Sequence, residues 1–290
     1  MSTQPPQEPG LVAGRGLRIV RPESFDEIGP GAVLLAGGTE VVPQLRDGLL
    51  RTDTLVDIAG LLPTGVSGGR IGAGTTLAEL EASSEIPDAL REACRLASSP
   101  QLRNMGTVGG NLLQSTRCWY WRLAYPCHLH GGDRCHAREG EHREHAIFGN
   151  DVCASAHPSD VAAALLALGA TVRTNRRALP IGELYRVPQR GAAGVTTLEP
   201  GEVLLELEVP TPEASVYLKA MDRKRWAFAI AGVAAVRADD ETRVALAGVA
   251  PIPWLLEGPI DEATPLPGTA FKVELAGALV KRALASINST

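Results

Sequence analysis

Four of the five cysteines and all six histidines lie between Cys118 and His157, directly after a glycine-rich turn, Asn104-Met-Gly-Thr-Val-Gly-Gly-Asn111. Thiols and imidazoles crowd together in this way where a metal, a disulfide or redox chemistry needs them. Cys118, Cys127, Cys135 and Cys153 follow the spacing C-x8-C-x7-C-x17-C, which has no C-x2-C pair and fits neither a zinc ribbon nor a ferredoxin-type run. Three chemistries stay open: a four-iron cluster, whose four thiolates need to converge in space and not at any fixed spacing, a set of reduced buried thiols, or two disulfides, which a cytosolic setting disfavours. Cys94 stands apart in a helical pattern, Leu90-Arg-Glu-Ala-Cys-Arg-Leu-Ala97, and is expected in the core. His128, His130, His136, His142, His145 and His157 are read as solvent-facing or structural, since they sit in loops beside glycine and arginine.

A second group of residues suggests a nucleotide. Ala36-Gly37-Gly38-Thr39-Glu40, Gly72-Ala73-Gly74-Thr75-Thr76 and the turn from Asn104 to Asn111 are all glycine-rich. A diphosphate bound without lysine is cradled by backbone N–H groups, and glycine lets the chain come close and turn with positive φ to aim them. None of the three is G-x-G-x-x-G and none is a phosphate-binding loop with lysine after glycine, so a dinucleotide-type or P-loop site is not supported. Each turn alone reads as a tight connection; three together point to a nucleotide held by another fold. No acid–base pair or nucleophile motif stands out.

The elements that position these groups follow a mixed pattern. Structure is expected to begin near Leu17, with short strands at residues 33–36, 54–58 and 70–74 and a helix opening at 41–45. A helical segment covers 77–97, broken at Ser83-Ser84 and Pro87, and another covers 159–168, capped by Ser159 or Asp160 and followed by a strand at 170–173. Residues 186–201 read as a linker. Strands at 203–209, 215–219, 232–237 and 243–249 and a helix over 271–285 make a second domain.

The chain has 290 residues, 44% of them hydrophobic, enough to fill two cores. A net charge of −5 with 4% aromatics leaves neither a basic face nor stacking platforms for nucleic acid. No run approaches the roughly 18 apolar residues of a membrane helix, and the first residues lack a signal-peptide pattern, so the expected location is cytoplasmic.

On several ordered motifs the sequence resembles the FAD-binding, medium subunit of the molybdenum hydroxylases, as in carbon monoxide dehydrogenase, xanthine dehydrogenase and 4-hydroxybenzoyl-CoA reductase. Ala36-Gly-Gly-Thr-Glu-Val is close to that family's A-G-G-T-D-L, Arg103-Asn-Met-Gly-Thr-Val-Gly-Gly-Asn111 to its R-N-x-x-T-I-G-G-N, and His157-Pro-Ser-Asp160 matches as well. Pro200-Gly-Glu-Val, Tyr217-Leu-Lys219, Arg225-Trp-Ala-Phe-Ala-Ile-Ala231 and Gly248-Val-Ala-Pro-Ile-Pro253 extend the likeness to the second domain.

The resemblance implies an α+β chain: a two-lobed FAD-binding domain of the vanillyl-alcohol-oxidase type over residues 15–185, then a smaller α+β domain over 200–290, with residues 1–14 as a disordered lead. It implies FAD held by Leu35, Ala36, Gly37, Gly38, Thr39 and Glu40 and by Asn104, Thr107, Gly109, Gly110 and Asn111, with Asp160 near the flavin and Lys219 approaching its ring. Glu40 departs from the family's Asp, which puts its contact with the cofactor in question. The cysteine-rich insert at about 115–155 resembles the branch of 4-hydroxybenzoyl-CoA reductase, which implies a [4Fe–4S] cluster on Cys118, Cys127, Cys135 and Cys153. The implied role is an electron-transfer stage, between an external carrier and two partners, a molybdenum-cofactor large subunit and a [2Fe–2S] small subunit, in a heterotrimer or its dimer. The competing expectations are a stand-alone flavin oxidoreductase with its own small substrate, and a non-catalytic module stapled by a metal.

Overall fold

The structure, a computed structural model, describes residues 16–190 and 194–289. The expected disordered lead, residues 1–14, lies outside the described residues.

The chain builds three sheets. The first is parallel, with β1 (Arg18–Val20), β2 (Val33–Leu35) and β3 (Thr54–Asp57) in the order β1-β3-β2. A short helix α1 (Val41–Arg46) makes the crossover between β2 and β3, as a parallel pair requires. The second sheet is antiparallel: β4 (Val66–Ser67), β5 (Arg70–Gly72), β6 (Thr171–Thr174), β7 (Ala178–Pro180) and β8 (Leu204–Glu208) run in the order β4-β5-β8-β6-β7. Between β5 and β6 the chain leaves the sheet through α2 (Leu77–Ala82), α3 (Asp88–Leu96), α4 (Pro100–Arg103), α5 (Val108–Leu112), the insert with its helix α6 (Trp119–Arg122), and α7 (Asp160–Leu168). The third sheet is formed by β9 (Ala214–Ala220), β10 (Ala231–Ala238), β11 (Glu241–Ala247) and β12 (Trp254–Leu255), and is followed by α8 (Phe271–Asn288).

The helix boundaries have local causes. Thr76 accepts from the Glu79 amide at 3.2 Å while the Glu79 carboxylate accepts from the Thr76 amide at 2.7 Å, a reciprocal cap that starts α2. Ser159 accepts from Ala162 N at 2.9 Å to start α7, and Gly169, at φ +68°, ends it. Of the two residues expected to cap α7, the serine does so.

Helix α7 is apolar all round, and its position explains why. It packs against α3 on one side and against β10 and β11 on the other. Strand β10 alternates between two cores: Ala234 and Val236 join α7 in the larger one, whereas Val233 and Ala235 face the one shared with α8. A strand covered on both faces must be apolar at every position, which accounts for Ala-Gly-Val-Ala-Ala-Val at its start.

Two features differ from the sequence reading. The strand at 203–209, assigned there to the second domain, is β8, and it pairs between β5 and β6 in the middle of the second sheet. The chain thus returns to that sheet before β9 begins the third one. The insert, assigned to the first domain, docks on the third sheet: Ile147 and Phe148 donate to the Val249 carbonyl at 2.7 and 3.0 Å, and both side chains belong to the α8 core. Lys272 of α8 reinforces this seam by donating to the carbonyls of Glu144 and Gly248, each at 2.9 Å. Among the described residues no helix is long and apolar enough to cross a membrane.

A buried ion pair ties the two cores together. Lys219 Nζ of β9 lies 2.7 Å from Asp160 Oδ2 at the start of α7, and the two side chains are 0% and 1% exposed. Tyr217 donates to the other Asp160 oxygen, and Lys219 also donates to the Leu96 carbonyl at 2.8 Å. Deleting one partner strands the other charge in the interior, which typically costs about 3–5 kcal/mol. Lys219→Met should therefore lower unfolding stability in urea by about that amount, and the double variant Asp160→Asn, Lys219→Met should recover a large part of it; equal stability of wild type and Lys219→Met would contradict the assignment.

Candidate functional site

Strand β2 ends at Leu35, and the chain turns at once through Ala36, Gly37, Gly38 and Thr39 into α1. The two glycines serve different needs. Gly38 has φ +72°, a conformation that side chains resist. Gly37 lies so close to the turn between α4 and α5 that a Cβ on it would stand 1.7 Å from the Met105 carbonyl oxygen. Gly106 is close from the other side, where a Cβ would sit 3.4 Å from Thr39 Oγ1. The amides of Gly37, Gly38, Thr39 and Glu40 make no hydrogen bond to the protein among the described residues. Four adjacent unpaired donors at one turn are suited to an anion.

The second turn is built the other way. Val108 N donates to Thr75 O at 2.8 Å and Gly109 N to Ala73 O at 2.9 Å, while Gly110 N and Asn111 N donate to Oγ1 and O of Thr107 at 3.1 and 2.9 Å. The glycine turn at 72–76 is thus a strap whose carbonyls fix the second turn against the first. The amides of Val108 to Asn111 are thus engaged within the protein, and Thr107 lines the two cavities beside the turn. Asn111 Oδ1 accepts from Ser159 Oγ at 2.6 Å, which links this turn to the start of α7.

Two cavities flank the paired turns, and a third adjoins the second of them. One of about 250 Å³ has an apolar wall of Leu34, Ile58, Leu62, Leu113 and Val203 beside Gly37 and Gly38. A second, of about 240 Å³, lies on the other side and is lined by Thr39, Glu40, Asn111, Gln114, Trp226 and Phe228. The third, of about 410 Å³, shares Arg117, Pro158 and Phe228 with the second and reaches Cys118, His145 and His157. Ala36, Thr107, Gly109 and Gly110 also line these spaces. Leu35 does not line them although its neighbours Leu34 and Ala36 do, and Asn104 is exposed at the end of α4 and lines none. Asp160 and Lys219 line none either. Burial pushes the Asp160 carboxyl up, and Lys219 and Tyr217 pull it back down, so each of these two residues spends its charge on the other.

The four insert cysteines converge. Cys118, Cys127, Cys135 and Cys153 line one recess, all as free thiols. Burial pushes Cys118 up to about 12 and Cys153 up to about 11, so these thiolates need a positive partner to form. The recess encloses a void of only about 10 Å³. Among the described residues no three His, Cys, Asp or Glu side chains stand close enough to hold a single metal ion. Cys94 is buried in α3, as expected.

Sequence reasoning missed two sets of residues. Arg117 and Arg122, on either side of the first insert cysteine, reach Glu40 at 2.6 and 2.7 Å; the signal was present as opposite charges, but their distance in sequence hid it. His145 and His157 are buried at 2% and 3% exposure, not surface residues. His145 Nε2 lies 3.2 Å from Cys118 Sγ, and burial lowers this imidazole to about 4.

The fold and paired turns are those of a flavin-binding protein, and residues 19–212 match the family described as the FAD binding domain in molybdopterin dehydrogenase. The chain belongs to this family, and it is an oxidoreductase subunit that binds FAD. It is 36% identical over 247 residues to the aldehyde oxidoreductase FAD-binding subunit PaoB of Escherichia coli (strain K12), covering 79% of this chain and 78% of that one. It is 40% identical over 92 residues to the xanthine dehydrogenase FAD-binding subunit of Escherichia coli O157:H7, covering 29% and 32%. A solved structure of carbon monoxide dehydrogenase from Hydrogenophaga pseudoflava, in the form lacking the Mo-pyranopterin moiety of its cofactor, has the same fold, with a TM-score of 0.66 at 24% identity over 94% of this chain and 98% of that one.

His157 gives the site a measurable acid response. Burial, with Arg117 adding to it, lowers this imidazole from 6.5 to about 3. The unfolded chain takes up a proton as pH falls below about 6.5 and the folded chain does not, so His157 costs stability progressively below that pH. Between pH 7 and 4.5 the stability gap between wild type and His157→Gln should shrink by roughly 2 kcal/mol in urea unfolding; a gap that stays constant would contradict a buried neutral imidazole.

Proposed function

We propose that this chain is the FAD-containing electron-transfer subunit of a molybdenum hydroxylase-type oxidoreductase. On this reading it assembles with a molybdenum-cofactor large subunit and a [2Fe–2S] small subunit, as a heterotrimer or its dimer, and exchanges electrons with an external carrier. The observation that carries the reading is the pair of opposed turns: four unpaired amides at residues 37–40 face the Thr107 hydroxyl between an apolar cavity and a more polar one. Gly37, Gly38 and Thr39 would hold the diphosphate, and Leu34, Ile58 and Leu62 would cover the adenine. Thr107, Gly109, Gly110 and Asn111 would shape the far side, toward the ribityl chain. Leu35 and Ala36 fix the approach of the first turn, and Asn104 that of the second. Asp160 and Lys219 act from beneath, by holding α7 and β9 together and by keeping Leu96, next to the second cavity, in place.

Cys118, Cys127, Cys135 and Cys153 are the proposed ligands of a [4Fe–4S] cluster. Their convergence, their free state and the cost of burying them as bare thiolates support this assignment. FAD bound here would interconvert one-electron and two-electron transfers, and a cluster would carry single electrons. A relative whose name is aldehyde oxidoreductase FAD-binding subunit supports the place of the chain in a larger oxidoreductase. Five free cysteines suit a reducing, cytoplasmic setting.

Purification without oxygen, followed by flavin, iron and sulfide assays, tests both cofactors. The expected result is about one flavin and about four irons per chain, with iron lost and flavin kept in Cys127→Ala. Flavin without iron would remove the cluster assignment; failure to take up flavin on reconstitution would remove the central one.

A further inference from the structure

Glu40 closes the first turn, next to Thr39, yet its carboxylate is spent on the cysteine insert. Oε1 accepts from Arg122 Nη2 at 2.7 Å, from Gln44 Nε2 at 2.7 Å and from the Ser115 amide at 3.2 Å. Oε2 lies 2.6 Å from Arg117 Nη1. The glutamate and Arg122 side chains are 15% and 16% exposed, so this is a largely desolvated contact and not a surface pair. Both arginines are tied to the segment that presents the first cysteine. Arg122 donates to the Thr116 carbonyl at 2.9 Å, and its own amide donates to the Cys118 carbonyl at 2.9 Å. Arg117, which directly precedes Cys118, donates to Gln114 at 2.9 Å, and Gln114 donates to the Asn111 carbonyl of the second turn at 2.8 Å. One carboxylate thus joins both turns to both sides of Cys118. An aspartate would be shorter by one carbon–carbon bond, about 1.5 Å, and could not reach both guanidinium groups from the same backbone position.

We infer that Glu40 is a positioning residue that couples the nucleotide turn to the Cys118 segment, so that filling the turn stiffens the segment and ordering the segment favours filling the turn. The inference rests on the reading that FAD occupies this turn. The amides of Gly37 to Glu40 are without partners among the described residues, so a diphosphate would fix a stretch of backbone that ends at Glu40 itself. Whatever fixes Glu40 fixes Arg117 and Arg122 through it. Coupling between two sites is reciprocal, and couplings of this kind change affinity by about 5–150-fold.

The test measures the rate at which iodoacetamide alkylates Cys118 in the iron-free full chain, read by peptide mass spectrometry, with and without saturating FAD. In wild type FAD should slow the reaction about tenfold. In Arg122→Gln, which leaves the turn itself intact, and in Glu40→Gln, the slowing should fall below about twofold while quenched flavin fluorescence shows FAD still bound. Direct shielding of Cys118 by FAD would persist in Arg122→Gln, so slowing equal to that of wild type in this variant would overturn the coupling. Bound FAD that leaves the wild-type rate unchanged would overturn it as well. A wild-type chain that binds no FAD would fail at the proposed function instead, and a chain that binds FAD but no iron would lose the cluster assignment without altering this result.

Discussion

The close approach of Gly37 to the Met105 carbonyl is the contact on which the site depends. No side chain fits between them, so the two turns can only be brought together by a glycine at this place. The strap at residues 72–76 accepts from Val108 and Gly109 of the second turn, Thr107 accepts from Gly110 and Asn111, and the amides of the first turn stay unpaired among the described residues. A division of labour results, in which one turn is structural and the other is free to bind. One cavity lies on either side of this contact, each lined by residues of both turns.

Around this contact the fold supplies rigidity from two cores. Helix α7 belongs to one, β10 to both, and Asp160, Lys219 and Tyr217 pin the first to the second where no water reaches. The insert then lies across the seam. Its Ile147 and Phe148 enter the α8 core while its arginines reach Glu40 in the first lobe. A segment anchored at both ends in this way brings four separated cysteines to one recess with only one short helix, α6, and two single 3-10 turns of its own. The pair of charges at Asp160 and Lys219 fastens the start of α7 to β9.

Much of this was legible in the sequence for physical reasons. Alternating or apolar runs bounded by glycine gave β2, β3, β5, β9, β10 and β11, and Ser159 and Gly169 marked the ends of α7. The family resemblance was carried by the glycine turns, whose chemistry leaves little freedom of sequence. What was not legible depends on contacts between distant parts of the chain. Strand β8 looks like the start of a new domain because its partners, β5 and β6, lie far before it. Glu40 looked like an imperfect copy of an aspartate that touches the cofactor, whereas its extra length serves Arg117 and Arg122. His157 looked like a loop histidine, and only the packing of α7 against the third sheet reveals that it is buried. The cysteine spacing left cluster, thiols and disulfides open, and only the fold brings the four cysteines to one recess.

The most direct test of the account is a crystal structure of the chain with FAD bound. The account predicts the diphosphate within hydrogen-bonding distance of the amides of Gly37, Gly38 and Thr39, with the Thr107 hydroxyl facing it and the adenine against Leu34, Ile58 and Leu62. A diphosphate bound elsewhere, with those amides still unpaired, would contradict it.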